Sequence, residues 1–322
     1  IYMTDYTNAI KEEIANNEGN YDICILLSHV GTFADELLAK EVKEIDIIVS
    51  AHDHKLFEQA QVINKTFMNS AGNYGEHIGI MEIEIDGGTV HLLHSQTIST
   101  KDIQESEQID SILRLNKERA VKVLSEPLYS LEHSLWHDVV EENPISNLIA
   151  DGLKDMLGTE IGLINSGICN AGIFHEMTEK KLIEICPSPL NPTSFEIQGK
   201  YLKEALEQSL DSQVCLADGR GPGFRGRFVG RLHASGLQIE HDGKQIHSIY
   251  VNDEILEDDK WYLVGSSDYL QRGSGYPCLA NKKKKKYLAE EIKDVLRLYG
   301  EKLDFCEESF SHKWKEVSKI RG

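Results

Sequence analysis

No part of this 322-residue chain approaches the roughly 18 uninterrupted apolar residues of a membrane span. The longest candidates, 23–27 and 45–49, have only strand length, and Asp46 interrupts the second. Basic residues are scarce: 34 Lys and Arg face 53 Asp and Glu, giving a formal charge of -19 and a pI near 5.1. A surface of that sign repels nucleic-acid backbones and anionic lipid, which argues against nucleic-acid and membrane partners. It leaves phosphate chemistry open, because bound cations or clustered arginines set the field inside a cleft. Cysteines are few and scattered, at 24, 169, 186, 215, 278 and 306, with no CxxC spacing. They read as reduced thiols, and zinc-ribbon and disulfide-scaffold classes fall away. The chain opens at Ile1 with no basic segment leading into an apolar core, which says little of compartment because a signal can lie upstream; the expected location is cytoplasmic.

What is present is ordinary globular material, 40% hydrophobic and 27% charged, long enough for two domains. Residues 7–17 carry helical periodicity, 21–28 form a β-rich run, 34–42 are helical again, and 45–49 form a second buried strand. Further strand-like runs follow at 61–68, 79–85 and 89–97, the last two joined by Asp86-Gly87-Gly88, a hairpin signal. Residues 102–124 are charged and helically periodic without a turn residue, and read as a linking helix. Beyond it come a helix at 145–157, a strand at 160–164 and a helix at 199–209. Five glycines and four arginines between 219 and 231 demand a loop, and the run Lys282–Lys286 is expected to be a solvated loop. The expected fold is mixed α/β.

The sharpest chemical signal is His29, His52 and His54. Ser28-His29-Val30-Gly31 and Ala51-His52-Asp53-His54 each follow a predicted strand, and ligands of open α/β sheets gather at such strand ends. Neutral imidazoles on two adjacent loops make a plausible metal half-site. Alternation turns Asp53 away from that site, while His77 and His91 have no comparable setting.

These motifs, with Asn69-Ser70-Ala71-Gly72-Asn73, resemble the latter half of the metallophosphoesterase domain of bacterial 5′-nucleotidases. Asn147-Leu148-Ile149-Ala150-Asp151, Asn165-Ser166-Gly167, Pro187-Ser188-Pro189-Leu190-Asn191 and Gly273-Ser274-Gly275-Tyr276-Pro277 resemble, in order, that family's C-terminal substrate domain. The resemblance implies half of an αββα metallophosphoesterase sandwich over 1–100, a linking helix over 101–124, and a C-terminal α/β substrate domain over 125–322. It also implies two divalent metal ions, Mn, Zn, Mg or Ca, with His29, His52 and His54 among their ligands. The implied reaction is phosphomonoester hydrolysis of nucleotides or a related organic phosphate by a metal-bound hydroxide.

The family's Asp-x-His, Gly-Asp and Gly-Asn-His-Asp/Glu motifs do not occur in the 322 residues. Three histidines alone should hold a metal weakly, so the chain is expected to be the C-terminal part of a longer or split enzyme. In the substrate domain, Tyr269 stands where the family places a base-stacking ring. The family's second ring, its arginine and its ribose-binding Asp are replaced, the latter two by Asn170 and Ser274. Arg220, Arg225, Arg227 and Arg272 are candidates to restore the lost charge. The expected substrate residues are Asn165, Gly167, Asn191, Arg225, Tyr269, Arg272, Ser274 and Tyr276. The departures resemble a cytoplasmic-looking branch of Gram-positive homologues. Two alternatives stay open: a non-catalytic nucleotide- or metabolite-binding module, and a 2′,3′-cyclic-nucleotide phosphodiesterase.

Overall fold

The computed structural model describes residues 4–221 and 223–317. It divides into two compact units, Ile1–Ile112 and Leu113–Gly322. In the first, α1 (Tyr6–Asn16) precedes β1 (Ile25–Ser28), α2 (Thr32–Glu41) and β2 (Ile47–Ser50), then β3 (Gln61–Ile63) and β4 (Thr66–Asn69). The sheet order is β1-β2-β4-β3, with β1, β2 and β4 parallel. Its small core joins Leu38 and Val42 of the helical layer to Ile48 and Met68 of the sheet. The single strand expected over 61–68 is instead a hairpin, β3 pairing antiparallel with β4. Asn64 turns it, at φ 56, a conformation Asn tolerates better than most residues. The second hairpin, β5 (His77–Asp86) with β6 (Thr89–Ser99), turns through Gly87 and Gly88, both at positive φ, as a tight hairpin turn requires.

Helix α3 (Glu107–Leu124) crosses the limit between the units. Beyond it lie β7 (Pro127–Ser130), α4 (Pro144–Leu157), β8 (Ile161–Asn165), β9 (Glu176–Thr178), α5 (Glu179–Ile185), β10 (Pro192–Gln198), α6 (Gly199–Gln208) and α7 (Ser212–Cys215). The chain continues through β11 (Leu232–Ser235), β12 (Leu237–His241), β13 (Ile246–Val251), β14 (Glu254–Ile255), β15 (Trp261–Ser267) and α8 (Asp268–Gln271). It ends with β16 (Lys282–Tyr287), α9 (Ile292–Tyr299), α10 (Leu303–Glu308) and β17 (Trp314–Glu316). A five-stranded sheet, β11-β8-β15-β10-β16, carries the larger core, and a four-stranded sheet, β14-β13-β12-β17, lies beside it in the sequence of strands. Helix α4 is set by local signals: the Asn143 side chain caps Ser146 N–H, Pro144 opens the first turn, and Gly158 closes the helix at φ 60. It can lie close on β8 because residue 162 is glycine: a Cβ there would stand 1.9 Å from Ala150 O.

The lysine run is not a loop. Lys282–Tyr287 is β16, the edge strand paired with β10. Glu196 of β10 takes Lys283 and Lys284 in ion pairs, and Lys283 lies over the Trp261 ring. Lysines on an edge strand also deter pairing with another chain, so like charge is compatible with a strand here.

Candidate functional site

In the first unit, the ends of β1 and β2 are held together from below. Asp35 of α2 is fully buried and accepts hydrogen bonds from the Ser28 and Ser50 hydroxyls, the last residues of the two strands. The loops carrying His29 and His52 therefore leave the sheet side by side. The two rings stand edge to face with centroids 5.2 Å apart. Gly31, two residues past His29, stands at φ 91, a backbone conformation that glycine adopts without strain. Asp53 turns back onto the start of α2, accepting from Thr32 N–H and Oγ1, and so caps a helix whose N-cap glycine has no side chain. Burial opposes its charge, yet the Thr32 hydrogen bonds and the field of Lys55 hold its pKa below the ordinary value.

His52 and His54 both have positive φ, 87 and 54. Such backbone costs on the order of 1–3 kcal/mol each and tends to collect at functional sites. His54 faces Tyr74, with centroids 6.1 Å apart. The structure thus brings His29 and His52 together and sets His54 beside an aromatic ring. Among the described residues, no group of three or more His, Cys, Asp or Glu is placed to hold a metal ion. The nearby carboxylates are engaged, Asp35 by serines and Asp53 by Thr32. This donor set, two adjacent exposed imidazoles without a free bridging carboxylate, fits a share of a metal centre and not a whole dinuclear one.

In the second unit, most of the expected substrate residues grip one structure, the glycine-rich loop 219–231. Asn165, with no exposed surface, donates from Nδ2 to Val229 O at 2.6 Å. Gly167 lies so close beneath the loop that a Cβ would meet Phe228 O at 1.9 Å. Tyr276 OH donates to Gly230 O at 2.7 Å, and burial raises its pKa. Ser274 Oγ would lie 3.3 Å from a Cβ on Gly221. Arg225 is exposed, with its N–H donating to Ser188 Oγ. Asn165, Gly167 and Tyr276 are therefore buried supports of the loop and are not open to a ligand.

Tyr269 also is fully buried, covered by Phe224 of that loop in a stacked contact, centroids 4.4 Å apart and planes at 23°. Asn191 and Arg272 meet through Asp268: one oxygen accepts from Asn191 N–H, the other from Arg272 at 2.6 Å. Arg220 pairs with Asp218, and Arg227 lies over the Phe228 ring. Sequence reasoning missed Phe224, Asp268 and Ser188. Phe224 carried a signal, as one of two aromatic residues in an otherwise Gly- and Arg-rich stretch.

The sequence model of the family described as 5′-nucleotidase, C-terminal domain, matches residues 121–281. A metallophosphoesterase of Bacillus subtilis, YunD, itself uncharacterized, is 32% identical over 305 residues, 91% of this chain and 66% of YunD. The trifunctional nucleotide phosphoesterase YfkN of the same organism is 29% identical over 63% of this chain, which spans 15% of YfkN. The chain thus spans just under two thirds of the first of these relatives and a small part of the second. A Staphylococcus aureus structure with a provisional 5′-nucleotidase assignment, in complex with alpha-ketoglutarate, superposes with a TM-score of 0.62. It covers 98% of this chain and 68% of its own at 14% identity, a likeness of fold alone.

Proposed function

Because this chain belongs to the 5′-nucleotidase family and is similar to YunD and YfkN, both named as phosphoesterases, we propose that it serves metal-dependent hydrolysis of phosphomonoesters, with nucleotides or a related organic phosphate as substrate. The observation that carries the reading is the pair His29 and His52, locked side by side at the ends of parallel strands by Asp35. These two imidazoles, with His54 joining by a change of its strained loop, would hold divalent metal in concert with carboxylate donors that the described residues do not offer there. When bound, such ions supply Lewis-acid polarisation of a phosphoryl group and acidification of water.

The remaining tasks fall to the chain's own side chains. Arg225 is exposed and carries a guanidinium that can fork onto an anionic substrate group. Arg272, steered by Asp268, adds positive charge beside Tyr269. The Phe224 and Tyr269 rings, stacked on each other here, would offer π faces to a base once the loop parts them, and any nucleobase can use such a face. Ser274 replaces a carboxylate with a hydroxyl, a weaker partner for sugar hydroxyls.

Equilibrium dialysis of the 322-residue chain against Mn²⁺ or Zn²⁺ tests the metal half of the reading. Weak binding that either His29→Ala or His52→Ala abolishes is expected. Binding that survives both substitutions would remove the histidine pair from the site. A second reading, ligand binding without turnover, draws on the lack of a three-donor group among the described residues. It would be favoured by nucleotide binding that never leads to phosphate release with Mn²⁺ present.

A further inference from the structure

Two of the free thiols, Cys169 and Cys186, are buried in the core of the second unit. Cys169 follows the short turn Ser166–Ile168 at the end of β8, and Cys186 closes α5. Asn170 N–H donates to Ile185 O at 2.8 Å, and the Cys169 thiol interacts directly with that of Cys186. The contacts 170–185 and 169–186 keep the order of an antiparallel pair. Facing residues of such a pair have Cα atoms about 4.5–5.5 Å apart, inside the roughly 4.4–6.8 Å that a disulfide spans. The other four cysteines lie elsewhere: Cys24 before β1, Cys215 in α7, Cys278 after α8 and Cys306 in α10.

Both segments also seat the glycine-rich loop. Gly167, two residues before Cys169, lies so close beneath it that a Cβ on Gly226 would meet Gly167 O at 2.0 Å. Ser188, two residues past Cys186, accepts the Arg225 N–H, and Leu190 of the same segment lies against Gly223. A covalent link between 169 and 186 would join these two seats.

We propose that Cys169 and Cys186 are a redox pair, which a peroxide closes into a disulfide that restrains the lifting of the glycine-rich loop. One sulfur, as thiolate, attacks hydrogen peroxide, giving a sulfenic acid and a hydroxide that takes up the released proton. The second sulfur then displaces water from the sulfenic sulfur, and two electrons have passed from the thiols to peroxide, leaving one disulfide and two waters. Contact with Cys186 and then burial push the Cys169 pKa well above the ordinary value, so the thiols react through local opening and slowly. The link itself does not depend on the phosphoesterase reading.

Prolonged incubation of the full chain with hydrogen peroxide, followed by digestion without reduction and mass analysis, tests it. The expected result is a peptide joining 169 to 186, with the thiol titre of the denatured chain lowered by two from the six present. Amide exchange over 219–231 should slow about tenfold in the oxidised chain and recover with dithiothreitol. Neither Cys169→Ala nor Cys186→Ala should show that slowing, so one folded variant suffices as the control. A link between other cysteines, sulfinic or sulfonic acid in place of the link, or exchange of the loop unchanged by the link would overturn the proposal.

Discussion

His233 has no exposed surface, and both ring nitrogens are engaged. Nε2 lies 3.2 Å from Asn143 Nδ2, which also donates to the carbonyls of Asp138 and Glu141, so Nε2 must accept. Nδ1 lies 2.9 Å from Asn147 Oδ1, so it must donate. Only the neutral ring satisfies both. Burial, then the charge of Arg231 and the field of His137, push its pKa well below the ordinary value. The unfolded chain takes up the proton near pH 6.5, while the native state resists it. This contribution to stability is complete above about pH 6.5 and is lost as the pH falls below that value, by up to about 1.4 kcal/mol per pH unit. Urea midpoints measured down to about pH 5 should fall more steeply for the wild type than for His233→Gln. Equal slopes would mean that the ring is protonated in the fold. Of the two asparagine partners, Asn147 was legible as part of a motif, Asn147-Leu148-Ile149-Ala150-Asp151, but its role was not, and Asn143 went unmarked. Asn147 holds His233 and the Ser309 carbonyl, contacts from 86 to 162 residues away that no local pattern announces.

On the proposed function, the glycine-rich loop is the element on which substrate recognition would turn. Phe224 and Tyr269 touch ring to ring at 4.4 Å, and a flat base between them needs a separation of about 7 Å, twice the stacking distance. The loop must lift before a base enters. Five glycines give its backbone that freedom, while Tyr276, Asn165 and the packing on Gly167 anchor its far end. If the two rings then clasp a base, Phe224→Ala should weaken nucleotide binding by about 1–3 kcal/mol, read as a higher Kd by fluorescence or calorimetric titration. Unchanged or tighter binding would make Phe224 a cover for Tyr269 and nothing more. The position of this loop followed from glycine content, and its support by residues 165, 167 and 276 did not, because burial depends on tertiary packing. The lysine strand β16 was misread for a related reason. Charge repulsion argues for solvent exposure, and an edge strand provides exposure and backbone pairing together.

At the scale of the chain, periodicity located most helices and strands of the first unit and the linking helix, but in the second unit only α4, β8 and α6, because its many short strands and helices take their shape from tertiary packing. The histidine site was partly legible: strand ends and spacing indicated His29 and His52, but the clamp that aligns them, Asp35 with Ser28 and Ser50, spans three elements. His54 shared their motif, yet its backbone turns it toward Tyr74. The central claim is that this pair is the chain's share of a phosphoesterase metal centre. It is tested most directly by phosphate release from a nucleotide panel with Mn²⁺, using the chain alone and fused behind the amino-terminal segment of YunD, each with and without His52→Ala. The account predicts Mn²⁺-dependent hydrolysis by the fusion, lowered about a hundredfold by His52→Ala, with little from the chain alone. Hydrolysis indifferent to His52→Ala, or a folded fusion that binds nucleotide and releases no phosphate, would contradict it.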